Sequence, residues 1–327
     1  MEFFSLNGKQ VSRIGLGTWA IGGGEWGAVS EDDAVATCRV IFDLGMNLID
    51  VAPIYGHGRS EEIVGKAMRE HGRREDFYIA TKAGLEWNER GVFSNSEPAR
   101  LRQEFEDSLR RLRTDYVDLY QIHWPDTTIP VERAAEVMRE LLGAGRIRAV
   151  GVSNFSVAQM EAFAAIAPVH SNQPPYNIFE REIDVEILPY CERRGIAVLT
   201  YSSLCRSLLA GRLTAETPIP EGDIRRLDPK FQQPRFGQYL RAVAGLDAFA
   251  QKQFGKRVVH LAVRWILDRP GISAALWGAK RPAQLDAVKE ILGWKLDAEA
   301  MAEVDRIVTE YVTDPVGPEY LTPGVRS

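Results

Sequence analysis

"LIDVAPIYGHGRSEEIVGKAM", residues 48–68, decides the fold. Its first residues form an apolar run of strand character, its glycines mark a turn, and the stretch beyond them returns to apolar residues at helical spacing. Two residues have no place in a purely structural version of such a unit. Asp50 puts a charge inside the buried run, and Tyr55 stands alone in the glycine-rich turn.

The same rhythm extends along the chain. Strand-like runs occur at RIGLGTW, NLIDVA, DFYIATK, YVDLYQIH, IRAVGVS, VHSNQ, IAVLTYSS and ISAALWGA, with helical segments between most of them. The helical period is clearest at Leu101, Phe105, Leu109 and Leu112. Ser156 with Gln159 makes a capping box, and Pro98 and Pro130 sit where first-turn prolines belong. Near-continuous apolar strands alternating with helices predict a parallel sheet, and a count of eight predicts an α/β fold of (β/α)8 TIM-barrel type. An open doubly wound sheet is the alternative. Ahead of the barrel, EFFSL and KQVSR flank Asn7-Gly8, a hairpin signal, and after residue 296 an extra C-terminal helix is expected. Two intervals break the rhythm. Residues 84–96 carry Trp87 and Phe93 and read as a loop that walls a pocket, and the proline-rich stretch 206–238 is either a lid or a surface excursion. One domain over residues 1–327 accounts for all of this.

Of the 327 residues, 45% are hydrophobic and 26% charged, and the formal net charge is −5. No block of lysine and arginine marks a nucleic-acid or membrane surface, and no apolar segment approaches the roughly 20 residues that span a bilayer. The N-terminal MEFFSLNGKQ lacks the pattern of a leader, so a cytoplasmic location is expected. Cys38, Cys191 and Cys205 give neither a disulfide framework nor a metal spacing. A small-molecule partner is the expectation.

In a parallel barrel the reactive groups stand at the C-terminal ends of the strands. Asp50 and Lys82 end neighbouring strands, and each needs the other if both are buried. Tyr55 placed over that pair becomes a proton donor, its acidity raised by the Lys82 ammonium. His123 and Trp124 end the next strand, and His123 is placed to orient a carbonyl that Tyr55 protonates. Protonation of a developing alkoxide implies hydride delivery, hence a nicotinamide cofactor. Ser153, Asn154 and Gln173 suit a carboxamide, and Tyr201 offers a face for stacking. Lys280 and Arg281 open a helix, where free N–H groups and two cations favour a phosphate and point to NADPH. Trp19, Tyr55, Trp87, His123 and Trp124 are the expected walls of the substrate pocket, while Trp26 reads as packing.

Taken together, GLGTWAIGG, LIDVAPIYGHGRSEEIVGKA, DSLRRLRTDYVDLYQIHWPD, GRIRAVGVSNFS and LWGAKRPAQL resemble the aldo-keto reductase family over nearly the whole chain. The resemblance implies a hairpin-closed barrel, a catalytic tetrad of Asp50, Tyr55, Lys82 and His123, and reduction of an aldehyde or ketone by NADPH. It also implies cofactor contacts at Gly17, Thr18, Trp19, Ser153, Asn154, Gln173, Tyr201, Ser203, Leu204, Gly278, Lys280 and Gln284. QPPYNIFERE and SLCRSLLAGRL resemble a bacterial, general-stress-protein branch that prefers NADPH. Departures lie at YSSLCR, where Arg206 is placed toward the pyrophosphate; at Ser207, where the branch has glycine; and at Ala287 and Val288, where relatives carry adenine-binding Glu and Asn. An oxidising sugar or polyol dehydrogenase and a cofactor-sensing subunit are the alternative functions.

Overall fold

Asn7 and Gly8, at φ 47° and 81°, reverse the chain between strands β1 (Phe3–Leu6) and β2 (Lys9–Ser12). Both central residues have positive φ, the requirement of a tight hairpin turn. The computed structural model describes residues 1–326. Beyond the hairpin come β3 (Ile14–Gly17), β4 (Leu48–Asp50), β5 (Tyr78–Ala83), β6 (Leu85–Asn88), β7 (Gly91–Ser94), β8 (Val117–Ile122), β9 (Ile147–Ser153), β10 (Ser171–Gln173), β11 (Ala197–Thr200) and β12 (Ile272–Gly278). Strands β3, β4, β5, β8, β9, β10, β11 and β12 close into a barrel in that order, each parallel to its neighbours. These are the eight runs read from the sequence.

The helices are α1 (Glu31–Val40), α2 (Arg59–His71), α3 (Pro98–Leu112), α4 (Val131–Gly143), α5 (Val157–Ala164), α6 (Ile187–Arg194), α7 (Arg235–Phe254), α8 (Val258–Asp268) and the C-terminal α9 (Ala298–Tyr311). The capping box of Ser156 and Gln159 opens α5, and Pro98 is the first residue of α3. Pro130 lies one position earlier than expected, as the cap of α4. No helix among the described residues is long and apolar enough to cross a membrane.

Two separate cores follow from the alternation of side chains along each strand. One fills the layer between strands and helices. The other fills the barrel itself with Leu48, Tyr78, Ala80, Leu119, Ala149, Leu199, Ala274 and Leu276, and Leu6 and Val11 of the hairpin join it. Reading on by two residues from Leu48, Ala80, Leu119 and Leu199 reaches Asp50, Lys82, Gln121 and Tyr201. The strands therefore carry apolar residues low in the barrel and polar ones at its C-terminal mouth.

Two expectations are corrected. Residues 84–96 are not a loop: β6 and β7 pair antiparallel as a second hairpin, in which Trp87 stands opposite Val92 and Glu86 opposite Phe93. The segment Pro282–Ile291 is a run of 3-10 turns rather than an α-helix.

Helices α2 and α3 approach closely at Gly65, where an added Cβ would lie 2.4 Å from the Arg111 carbonyl oxygen. Backbone on both sides leaves nothing to yield. Gly65→Ala is expected to destabilise the fold by about 1–3 kcal/mol. Thermal unfolding checks this, and an unchanged melting temperature would mean that the two helices separate freely.

Candidate active site

The register of the strands brings the expected tetrad together. Asp50 pairs with Ala80 across β4 and β5, and Lys82, two residues on, faces the same interior. Lys82 Nζ lies 2.5 Å from Asp50 Oδ1, 3.2 Å from the Val51 carbonyl and 3.2 Å from Tyr55 Oη. Those three contacts take all three ammonium donors. The other Asp50 oxygen accepts from Gln173 Nε2 at 2.7 Å and from Gln121 Nε2 at 3.4 Å. Asp50 and Lys82 are both buried, so removal of either partner alone would strand a charge.

Burial pulls the Lys82 ammonium below its ordinary value, while Asp50 and Glu61 pull it up. For Tyr55 the direction is opposite to the sequence-based expectation. Burial, then the Asp50 charge, push the phenol well above its ordinary value. The phenol is held protonated, and the adjacent ammonium acts on the anion that forms after the proton leaves. His123 follows β8 with its ring 5.8 Å from that of Tyr55, edge to face. Burial, with the Lys82 charge, pulls its imidazole well below the usual range, so the ring is neutral near pH 7.

Backbone packing holds the turn that carries Tyr55. Thr18 donates from both its N–H and Oγ1 to the Asp50 carbonyl, and Ser60 Oγ donates to Thr18 Oγ1 at 2.8 Å. Gly22 meets the turn backbone to backbone: an added Cβ would lie 2.6 Å from the Tyr55 carbonyl carbon and from Gly56 N. The Trp19 ring stacks on Tyr55 at 6.1 Å and meets Trp26 edge-on at 5.3 Å.

A cavity of about 240 Å³ opens beside Tyr55. Of the expected contacts, Gly17, Thr18, Trp19, Asp50, Tyr201, Ser203, Leu204, Arg206, Gly278, Lys280 and Gln284 line it. Ser153, Asn154 and Gln173 are not on its wall but are wired to it. Tyr201 Oη donates to Asn154 Oδ1 at 2.9 Å, Asn154 Nδ2 donates to the His123 carbonyl and to Ser153 Oγ, and Ser153 Oγ donates to the Gln173 carbonyl. Trp87, His123 and Trp124 are also off the wall; Trp87 stacks on His57 at 5.1 Å.

The wall includes residues that were not among the expected contacts, such as Trp26, Ser202 and Arg225. Trp26 was expected to be packing. Its carbonyl accepts from Lys280 Nζ at 2.5 Å, which joins the turn after β3 to the far end of the cavity. Arg225 comes from the long stretch 206–238, which reaches the cavity and forms part of its wall. Its guanidinium pairs with Asp223 at 2.6 Å. Burial and the neighbouring Arg281 and Arg225 charges pull the Lys280 ammonium down, against Asp223. The signal available in the sequence was only the arginine pair in GDIRRLD, which has no motif.

Three readings of that end change. The backbone N–H groups of Lys280 and Arg281 are not free, because Gln284 Oε1 accepts from both, and Arg281 is off the cavity wall. Val288 is buried in the core, so it faces no ligand. Arg206 is not free for a pyrophosphate: its guanidinium pairs with Glu180 and Asp228 and donates to Ser202 Oγ. Lys230 pairs with the same two carboxylates, giving two cations and two anions whose side chains are at most 1% exposed. Cys205, Arg206 and Ser207 have φ of 45°, 50° and 76°, and Ser207 thus stands in the left-handed region that favours glycine.

The wall thus runs from a phenol beside a buried ammonium to a cationic end at Lys280 and Arg225. An extended molecule with a flat ring at one end and phosphates at the other matches it.

Gly22→Ala is expected to displace the Tyr55 turn and to lower kcat by about 100-fold with the fold retained, since a misplacement of about 1 Å has that effect. Steady-state kinetics beside circular dichroism checks it. Wild-type kcat would mean that this contact does not place Tyr55.

A family model described as the Aldo/keto reductase family matches residues 13–309. The chain is 52% identical over 328 residues to the aldo-keto reductase YhdN of Bacillus subtilis, covering 100% of this chain and 99% of that one. The solved glycerol dehydrogenase AKR11B4 from Gluconobacter oxydans superposes with a TM-score of 0.88 at 46% identity, over 97% of this chain and 98% of its own. An aldo/keto reductase from Klebsiella pneumoniae, solved in complex with NADP and acetate, has a TM-score of 0.70 at 28% identity, over 97% and 96% of the two chains.

Proposed function

Since this chain belongs to the aldo/keto reductase family, we propose that Asp50, Tyr55, Lys82 and His123 are its catalytic group, and that the adjoining cavity holds the dinucleotide. The enzyme reduces a carbonyl to an alcohol with NADPH. One observation carries the assignment of residues: Lys82 Nζ within 3.2 Å of Tyr55 Oη while bonded to Asp50.

When bound, the reduced nicotinamide supplies a hydride to the carbonyl carbon. Tyr55 Oη donates its proton to the carbonyl oxygen as negative charge develops there. Lys82 stabilises the phenolate left behind, and Asp50, held by Gln173, keeps Lys82 charged and in place. Neutral His123 donates a hydrogen bond that orients the carbonyl. Because Tyr55 stays protonated and His123 neutral, neither adds a limb to the kcat profile near neutral pH. Tyr201 offers a flat face to the ring, and Lys280 and Arg225 supply the cations for phosphate. A cytoplasmic site of action belongs to the same proposal.

A second reading has a specific observation behind it. A relative with 46% identity is a glycerol dehydrogenase, and the same four residues run the oxidation of a small polyol by returning the proton to Tyr55.

A titration of intrinsic fluorescence with NADPH, followed by aldehydes while the absorbance of the reduced nicotinamide is recorded, tests the proposal. Saturable quenching and steady oxidation are expected; tight binding with turnover only on polyols and NADP would favour the second reading. Lys280→Ala is expected to weaken NADPH by about 10-fold or more while sparing NADH, in line with a charge-assisted phosphate contact. An equal loss for both cofactors would remove Lys280 from the 2′-phosphate.

A further inference from the structure

The hairpin β6–β7 follows Lys82 directly, and both of its ends are tied to one buried carboxylate. Glu104, on α3 with a side chain 8% exposed, accepts from Gly84 N–H at 2.9 Å and from Arg100 Nη1 at 2.9 Å. Arg100 in turn donates to the Leu85 carbonyl at 2.5 Å and to the Asn95 carbonyl at 3.3 Å. Asn95 N–H closes the base by donating to the Gly84 carbonyl at 2.8 Å. At the other side of the hairpin, Trp87 lies flat on His57, with ring planes 9° apart, two residues past Tyr55. Gly324 N–H donates to the Val92 carbonyl, so the C-terminal tail lies along the second strand. Nothing in the catalytic group accounts for Glu104.

Burial pushes this carboxyl up to about 7, against the Arg100 charge and the Gly84 N–H. The other ionisable groups facing it are Glu61 of α2, itself paired with Arg111, and Tyr120 of β8, whose buried hydroxyl has no partner. A folded value above the ordinary 4.5 contributes stability at low pH that is lost as pH rises through about 7. The ionised clamp is therefore kept at a cost to the fold.

We propose that Glu104 is a positioning residue for the carbonyl substrate: ionised, it sets the angle of the hairpin and hence of the Trp87–His57 stack on the turn that carries Tyr55, and protonated, it releases that stack. Substrate affinity then depends on the charge of Glu104. The proposal rests on the reductase function given above.

The test compares wild type, Glu104→Gln and Trp87→Ala with NADPH and 4-nitrobenzaldehyde. In the wild type, KM is expected to rise about fivefold from about pH 8 to about pH 6, the net weight of one hydrogen bond, with kcat and NADPH affinity unchanged. Glu104→Gln is expected to hold KM at the acid-side value throughout, and Trp87→Ala to raise KM and flatten its profile. A purely structural Glu104 would instead lower kcat and melting temperature together and leave the shape of the KM profile intact. Glu104→Gln is expected to melt no lower than wild type at about pH 8, because the ionised carboxyl is the destabilising form.

Hydrogen exchange of amides 85–94, corrected for intrinsic rates, reads the hairpin without turnover. Protection that falls from about pH 8 to about pH 6 in wild type but not in Glu104→Gln supports the clamp. Equal behaviour of the two proteins, in exchange or in the KM profile, overturns it. Absence of turnover on any carbonyl would count against the reductase function alone, and exchange would still decide the role of Glu104.

Discussion

A single buried ammonium organises this molecule. Lys82 has three donors and spends them on Asp50, on the Val51 carbonyl and on Tyr55. Because the ammonium is out of water, the barrel must hold a carboxylate against it, and the parallel register of β4 and β5 places Asp50 on the same interior face. The carboxylate then needs its second oxygen satisfied, which draws in Gln173 from the opposite side of the barrel and Gln121 beside it. Four strands of the mouth are thus tied to one charge. The phenol of Tyr55 is set by the same group, kept protonated by burial and by Asp50 while its anion has a cation waiting at 3.2 Å.

The fold was readable because the barrel repeats one simple pattern. Eight apolar runs separated by helical periods leave few topologies, and each polar strand end falls two residues beyond an inward apolar one, as Ala80 precedes Lys82 and Leu48 precedes Asp50. That parity, a property of pleated strands, would also have pointed to Gln121 as an interior residue. Asn7-Gly8 and the Ser156 cap were local signals with local causes, and both formed as expected. The hairpin at 84–96 was missed because its strands span only four residues on each side of a turn and the second does not alternate, too short a run to separate from a loop.

What the sequence could not convey lies in the long connection after β11 and its neighbours. Arg206 looked like a free cation near a phosphate. Its actual partners, Glu180 and Asp228, lie 26 and 22 residues away, and no local pattern announces them. Together with Lys230 they form a charge-balanced cluster, and the Lys230 ammonium also donates to the Gly317 carbonyl of the C-terminal tail. Three non-glycine residues in left-handed conformation, each costing about 1–3 kcal/mol, are held in that place by the cluster. Trp26 and Arg225 entered the cavity wall for the same reason: distant loops meet over it, at Lys280. The direction of the Tyr55 shift was misjudged because spacing alone counts charges and cannot weigh burial against them.

The central claim is that the Tyr55 hydroxyl supplies the proton, enabled by the Lys82–Asp50 pair. A single turnover of Tyr55→Phe loaded with NADPH, followed by the absorbance of the reduced nicotinamide after mixing with aldehyde, tests it most directly. NADPH binding equal to wild type with hydride transfer slowed by about 100- to 10,000-fold is the expected result, the usual weight of a general acid. Transfer at the wild-type rate would contradict the account and leave the buried ammonium without its catalytic role.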